Sequence, residues 1–95
     1  MQQRIFVKFY GRVQGVGFRW TTMRVAHSFD VTGRIENMPD GTVEMVAEGN
    51  KKTIDDFIQT CMKTFQFPIN CTHFEIIREE EAPAKHKNFT LGIPM

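Results

Sequence analysis

Three glycines within seven residues dominate the first quarter of the chain, at Gly11, Gly15 and Gly17. An apolar run at residues 5–10 precedes them, and a helical pattern that begins at Phe18 follows them. Glycine adopts a positive φ without steric penalty, and it lets backbone N–H groups approach a ligand closely. The stretch therefore predicts a strand, a tight loop and a helix N-terminus, an arrangement suited to binding an anion.

Arg19 falls in the first turn of this predicted helix. Its planar guanidinium can bind two phosphate oxygens at once, with a charge that does not titrate in water. A glycine-rich turn between a strand and a helix is, however, also common as a purely structural feature. Neither GxxxxGK[ST] nor GxGxxG fits the loop, since Gly17 is followed by Phe18, Arg19 and Trp20. Composition alone leaves the structural and the anion-binding interpretations open.

The bulk properties of the chain indicate one ordinary globular domain. Its 95 residues are 41% apolar and 24% charged, and the formal net charge is +1. Such a balance predicts no nucleic acid or membrane partner, so any anion binding must be local. The N-terminus lacks the apolar segment of a signal peptide, and we therefore expect a cytoplasmic protein whose Cys61 and Cys71 are free thiols.

The spacing of apolar residues predicts the order βαββαβ followed by a short strand. Pro39-Asp40-Gly41 is a hairpin turn between two alternating runs, and Asn50 is the expected N-cap of the second helix. A solvated loop is predicted to begin at the acidic residues 79–81. The predicted strands lie at residues 4–10, 31–38, 42–48, 72–79 and 88–91, the helices at residues 18–30 and between Asn50 and Pro68, and an unpaired tail at residues 92–95.

This order is typical of the α+β class, and specifically of the ferredoxin-like βαββαβ sandwich. We expect an antiparallel sheet with both helices on one face and a short extra C-terminal strand. The first strand should lie in the middle of the sheet, because both of its faces are mostly apolar. The right-handed crossover rule is taken to place the first and third strands side by side as parallel neighbours, with the second strand further out.

Two long segments of the chain resemble the acylphosphatase family. GRVQGVGFR, at residues 11–19, is similar to the family signature, and residues 31–49 resemble a second block of the form TGxVxNxxDGxVExxAEG. The resemblance implies a small free-standing acylphosphatase, with residues 1–95 as one domain and a core strand order of 4-1-3-2. The implied reaction cleaves the carboxyl–phosphate bond of acyl phosphates to give a carboxylate and inorganic phosphate.

The resemblance also assigns the chemistry to two residues. Arg19 is expected to bind the phosphate and Asn37 to orient the attacking water, with no cofactor and no metal. Tyr10 and Trp20 are expected to pack rather than to contact the substrate. Gln14 and Val16 are expected to contribute backbone N–H groups rather than side chains. The full set expected to bind phosphate is Gln14, Gly15, Val16, Gly17, Phe18 and Arg19.

Several alternatives remain open on the sequence. Asn37 could be only a strand-end residue, and the chain could be a non-catalytic module that binds phosphate or acyl phosphate. An RNA-binding domain is disfavoured, since the predicted open sheet face carries too many acidic residues. Asp30, Arg34 and His73 depart from the family pattern, and the latter two could reshape the rim of the site or loosen the core. The expected partners are an acyl phosphate and inorganic phosphate, and the expected state is a monomer.

Overall fold

The computed structural model describes residues 2–92, and its elements follow the predicted order. The predicted α+β class is confirmed, whereas the behaviour predicted for residues 93–95 of the tail lies outside the described residues. The elements are β1 (Gln2–Arg12), α1 (Phe18–Ala26), β2 (Thr32–Asn37), β3 (Val43–Asn50), α2 (Lys51–Thr64), β4 (Asn70–Glu81) and β5 (Phe89–Leu91).

The five strands form one sheet in the order β4-β1-β3-β2-β5. The predicted core order 4-1-3-2 and the central place of β1 are therefore confirmed. β1 pairs with β3 and β4 in antiparallel fashion, and β2 pairs with β3 in the same way, whereas β5 runs parallel to β2. The prediction that β1 and β3 are parallel is wrong. The crossover through α1 makes β1 and β2 parallel, and the hairpin then reverses the chain into β3.

One face of the sheet supplies most of the core. Ile5, Val7 and Phe9 alternate along β1 and are completely buried, as a strand with one face against helices requires. The two helices cover this face and contribute apolar residues at helical spacing. The buried residues from the other elements include Val13, Phe18, Ala26, Val31, Ile35, Val43, Met45, Ala47, Ile54, Phe57, Ile58, Cys61 and Phe89.

Most strand boundaries shift by one or two residues from prediction, and the two larger differences concern α1 and the loop predicted after β4. α1 ends at Ala26 instead of near Asp30, because the chain tightens into turns in which the N–H groups of Ser28 and Phe29 bond to carbonyls three residues back. Among residues 2–92 no residue other than glycine has a positive φ, so Asp30 does not adopt the left-handed conformation considered for it. β4 continues through residues 79–81, which are therefore strand and not loop. The prediction of Asn50 as N-cap is confirmed, since its Oδ1 accepts a bond from the Lys52 N–H.

Glu48 lies on β3 at a position predicted to be partly solvated, yet its side chain is only 1% exposed. Its Oε2 accepts bonds from Arg4 Nε and from the Lys85 N–H, both at 2.9 Å. Its Oε1 accepts a bond from the His86 N–H at 2.8 Å, and the His86 ring Nδ1 lies 2.9 Å away. Arg4 also pairs with Glu80 on β4 at 3.0 Å. A buried carboxylate therefore anchors the loop after β4 to the sheet.

Burial and hydrogen bonds around Glu48 together decide whether its carboxyl group is protonated. Burial alone would raise the pKa of this carboxyl group, because it disfavours the charged form. The hydrogen bonds from Lys85, His86 and Arg4 outweigh burial and lower the pKa of Glu48 to about 2. The folded protein therefore holds Glu48 ionised at pH values at which the carboxyl group of an unfolded chain is already protonated.

Replacing Glu48 by glutamine should destabilise the fold by about 3 kcal/mol at neutral pH, because Arg4 would stay buried with only the more exposed Glu80 as a charged partner. The control Glu79→Gln breaks only the exposed pair with Lys51 and should cost less than about 1 kcal/mol. Urea unfolding measures both values. Equal costs for the two variants would contradict a stabilising role of the buried pair.

The same network predicts how stability depends on pH. The folded pKa of Glu48 lies below the unfolded one, so its contribution is fully present above about pH 5 and is lost as the pH falls toward about 2. Unfolding free energies measured from pH 6 to pH 2 should therefore fall less steeply in Glu48→Gln than in the parent chain. Parallel pH profiles would show that Glu48 is not the group responsible.

Candidate functional site

The glycine loop, defined as residues 13–17, connects β1 to α1. It contains two glycines, and the loop requires a backbone conformation that favours glycine at both positions. Gly15 has a φ of 71° and Gly17 a φ of 85°, both in the left-handed region that favours glycine. A Cβ at either position would meet nothing within 4 Å, so the loop leaves open space above its backbone. The sequence prediction of a tight loop that leads into a helix at Phe18 is confirmed.

The start of α1 supplies free hydrogen-bond donors beside this loop. The Thr21 N–H bonds to the Gly17 carbonyl at 3.0 Å and is the first intrahelical bond of α1. The N–H groups of Phe18, Arg19 and Trp20 precede it and have no acceptor within the helix. Together with the positive end of the helix dipole, they form an electrostatic environment that favours an anion.

Arg19 is half-buried, and its guanidinium is fixed by a backbone group at the end of β5. Its Nη1 donates to the Gly92 carbonyl at 2.8 Å, and the Gly92 N–H in turn donates to the Ile35 carbonyl of β2 at 2.6 Å. An arginine has five N–H donors, and this bond uses one of them. The contact therefore orients the guanidinium while leaving donors for an anionic ligand.

Asn37 is the last residue of β2 and belongs to the same cleft as Arg19. Its Oδ1 is buried and accepts no hydrogen bond from any residue in the range 2–92. An unpaired buried amide oxygen is costly, and such an atom marks a place for a water molecule or a ligand. A water molecule there could donate an O–H to Asn37 and remain free to react.

The cleft has a volume of about 150 Å³ and brings together both residues that the sequence assigned to chemistry. Of the predicted phosphate-binding residues, Gly15, Gly17, Phe18 and Arg19 line it, whereas Gln14 and Val16 do not. The complete lining is Val13, Gly15, Gly17, Phe18, Arg19, Trp20, Asn37 and Leu91.

The side chain of Gln14 has a function that sequence reasoning missed. Its Nε2 donates to the Met38 carbonyl at 2.7 Å and to the Thr42 carbonyl at 2.8 Å. It therefore ties the glycine loop to the hairpin that begins directly after Asn37. No local pattern could have revealed this bond, because its acceptors lie 24 and 28 residues along the chain.

The hairpin turn is held on its other side by Asp40. Its Oδ1 accepts bonds from the hydroxyl and the backbone N–H of Thr42, and Lys8 Nζ lies 3.0 Å from its Oδ2. The hydrogen bonds from Thr42, and to a lesser extent the one from Lys8, keep the pKa of Asp40 well below its usual range. The turn after Asn37 is therefore fixed by an ionised carboxylate at all pH values near neutrality.

Trp20 is predicted to pack rather than to contact the substrate, and the packing part of this prediction is wrong, since 57% of this residue is exposed at the cleft. Tyr10 does pack against neighbouring side chains, as predicted. Its ring stacks on His73 with centroids 4.4 Å apart, and its hydroxyl donates to Glu75 at 3.2 Å. His73 is exposed and thus does not interrupt the core, and Arg34 is exposed as well.

Other kinds of site were sought in the described part of the chain. Residues 2–92 contain no group of three or more His, Cys, Asp or Glu side chains placed to hold a metal ion. Within the same range, no helix is both long enough and apolar enough to cross a membrane. Cys61 and Cys71 are free thiols. Burial raises the pKa of Cys61 to about 12, so this thiol stays protonated at neutral pH and is a poor nucleophile.

Comparisons with known proteins indicate one family. A family model described as Acylphosphatase matches residues 5–91. The chain is 47% identical over 58 residues to an acylphosphatase of Latilactobacillus sakei, a match that covers 61% of this chain and 63% of that protein. It is 37% identical over 78 residues to an acylphosphatase of Methanospirillum hungatei, which covers 82% of this chain and 86% of that protein. Several of the curated relatives are matched over only about three fifths of their length.

A solved structure shares the whole arrangement. The crystal structure of acylphosphatase from Bacillus subtilis superposes with a TM-score of 0.85 at 29% sequence identity. The match covers 98% of this chain and all of that one. The fold that positions the glycine loop is therefore that of the solved protein.

Replacing Gln14 by leucine should loosen the hairpin, because the Met38 and Thr42 carbonyls would lose a donor that a leucine of similar size cannot replace. We expect a loss of about 1–2 kcal/mol in unfolding free energy and faster hydrogen exchange of amides at residues 38–43. The control Gln59→Leu changes an exposed glutamine of α2 and should leave that exchange unchanged. Unaltered exchange in Gln14→Leu would show that the bond does not hold the hairpin.

Proposed function

Because the chain belongs to the acylphosphatase family, we propose that it hydrolyses the carboxyl–phosphate bond of acyl phosphates to a carboxylate and inorganic phosphate. One observation supports this proposal most. A fixed arginine and an amide oxygen that accepts no bond from residues 2–92 share a small cleft with a glycine loop at a helix N-terminus. The cleft thus offers donors for a phosphoryl group and an acceptor for a water molecule.

The phosphoryl group is bound by the loop and Arg19 in this mechanism. Its oxygens accept bonds from backbone N–H groups of residues 14–18 and from the guanidinium, which also neutralises charge in the transition state. The bond from Arg19 to the Gly92 carbonyl supports this role, because it fixes the direction of the remaining N–H donors of Arg19. Little reorganisation is then required when the substrate binds.

Asn37 orients the attacking water. Its Oδ1 accepts one O–H of the water, whose oxygen attacks phosphorus in line with the leaving carboxylate. The new P–O bond forms as the bond between phosphorus and the carboxylate oxygen breaks, and the water releases one proton on the way to inorganic phosphate. A carboxylate is a weak base, so its departure requires no strong general acid.

The proposal also covers the domain organisation, the location, the oligomeric state and the partners of the protein. We take residues 1–95 to act as one domain that works as a cytoplasmic monomer, without nucleic acid or a membrane as a partner. The balanced charge of the chain supports the absence of these two partners, since a net charge of +1 provides no general attraction to anionic polymers or surfaces. The reaction needs no cofactor, because it consists of positioning and electrostatic stabilisation.

Substitution of Arg19 and Asn37 by alanine separates the two roles. Arg19→Ala should lower kcat/KM for benzoyl phosphate by at least about 10³-fold and abolish phosphate binding, since a charged donor is lost. Asn37→Ala should lower kcat by at least about 10²-fold but change phosphate affinity by less than about threefold, because only the water loses its partner. Hydrolysis is measured with a metal chelator present, and phosphate binding by calorimetry.

Two exposed residues of the same types serve as controls. Arg24→Ala on α1 and Asn70→Ala on β4 should leave both hydrolysis and phosphate binding unchanged. Equal loss of phosphate affinity in Arg19→Ala and Asn37→Ala would contradict the separate roles. A folded parent chain that binds phosphate but hydrolyses no acyl phosphate would instead identify a non-catalytic binding module.

A further inference from the structure

Trp20 is the one tryptophan of the chain, and it lies exposed at the rim of the cleft. It follows Arg19 directly in the first turn of α1 and lines the same cleft as Asn37. Leu91 on β5, 36% exposed, lines the cleft as well. Large apolar side chains exposed beside a polar site are typical of ligand contacts.

The size of the cleft limits what it can enclose. Ligand pockets that bury a whole small molecule have volumes of about 300–1,000 Å³, whereas this cleft measures about 150 Å³. Its floor, formed by the glycine loop and Arg19, takes the phosphoryl group in the proposed function. The acyl group of a bound substrate must then lie at the mouth of the cleft, beside the side chains exposed there.

The chemistry at the mouth favours an apolar acyl group. Apart from Arg19 and Asn37, which the phosphoryl group and the water occupy, every residue that lines the cleft is apolar or glycine. Among residues 2–92 no carboxylate or hydroxyl group lines the cleft, so a polar acyl group would find no partner among these residues. The indole of Trp20 presents a flat face on which an aromatic ring can stack.

We propose that Trp20, with Leu91 beside it, forms an acyl subsite that makes the protein selective for aromatic acyl phosphates over small ones such as acetyl phosphate. This inference rests on the proposed function. It extends that function from the phosphoryl group, which all acyl phosphates share, to the part of the substrate in which they differ.

The first experiment compares kcat/KM for benzoyl phosphate and acetyl phosphate in the parent chain, Trp20→Ala and Trp20→Phe. We expect Trp20→Ala to lower the ratio of benzoyl to acetyl kcat/KM about tenfold, and Trp20→Phe to restore most of it, because phenylalanine also stacks. Phe67→Ala removes an aromatic side chain that is 91% exposed and does not line the cleft, so it should leave the ratio unchanged. An unchanged ratio in Trp20→Ala would overturn the proposal.

A binding measurement keeps the test independent of catalysis. Benzylphosphonate and methylphosphonate contain a P–C bond that cannot be hydrolysed, and both present the same phosphonate to the loop. Calorimetry should show that the parent chain binds benzylphosphonate about tenfold more tightly than methylphosphonate, and that Trp20→Ala loses this difference. Equal affinities in the parent chain would refute the subsite. A parent chain that binds with the expected preference but does not hydrolyse would refute only the proposed catalysis.

Discussion

The antiparallel register of β3 with both of its neighbours is the constraint on which the site depends. Val43, the first residue of β3, pairs with Phe9 of β1 on one side and with Asn37 of β2 on the other. Adjacent strands are about 4.8 Å apart, so Asn37 lies about two strand spacings from Phe9, four residues before the glycine loop begins. A slip of one residue would turn Asn37 to the opposite face of the sheet and remove it from Arg19.

Two further long-range contacts complete the site around the paired residues Phe9, Val43 and Asn37. Gln14 joins the glycine loop to the hairpin, and the carbonyl of Gly92 fixes Arg19 from the end of β5. β5 is parallel to β2, which brings the last described residues of the chain to the start of α1. The cleft is thus formed by segments from both ends and the middle of the chain, and its geometry depends on all of them. These contacts between distant segments hold the few polar groups of the cleft in place. Residues 2–92 contain no group of side chains placed to hold a metal ion that could do so instead.

The buried charge of Glu48 lies at the other end of the sheet. Glu48 pairs in register with Arg4, five residues before Phe9 on β1, which corresponds to about 17 Å along a strand. Burial of this carboxylate is compensated by five hydrogen-bonding groups, the Thr32 hydroxyl among them, so the network stabilises the loop after β4 instead of weakening the core. Stability and the proposed chemistry are therefore located in separate parts of the sheet, and a change in one need not alter the other.

The sequence by itself determined the secondary structure, the strand order taken from the family resemblance, and the assignment of Arg19 and Asn37 to one site. Local periodicity and turn chemistry carry the information on secondary structure, because they depend on neighbours a few residues apart. The strand order and the assignment of Arg19 and Asn37 to one site follow from the family resemblance. The tertiary structure alone decided the burial of Glu48, the bond from Gln14 to the hairpin and the exposure of Trp20. Each of these depends on which distant segments come into contact. Glu48 alternates with buried apolar residues as a solvated residue would, and a later loop covers it. Trp20 is a large apolar residue of a type that usually packs in a core, and it stays exposed because no other segment within residues 2–92 covers it.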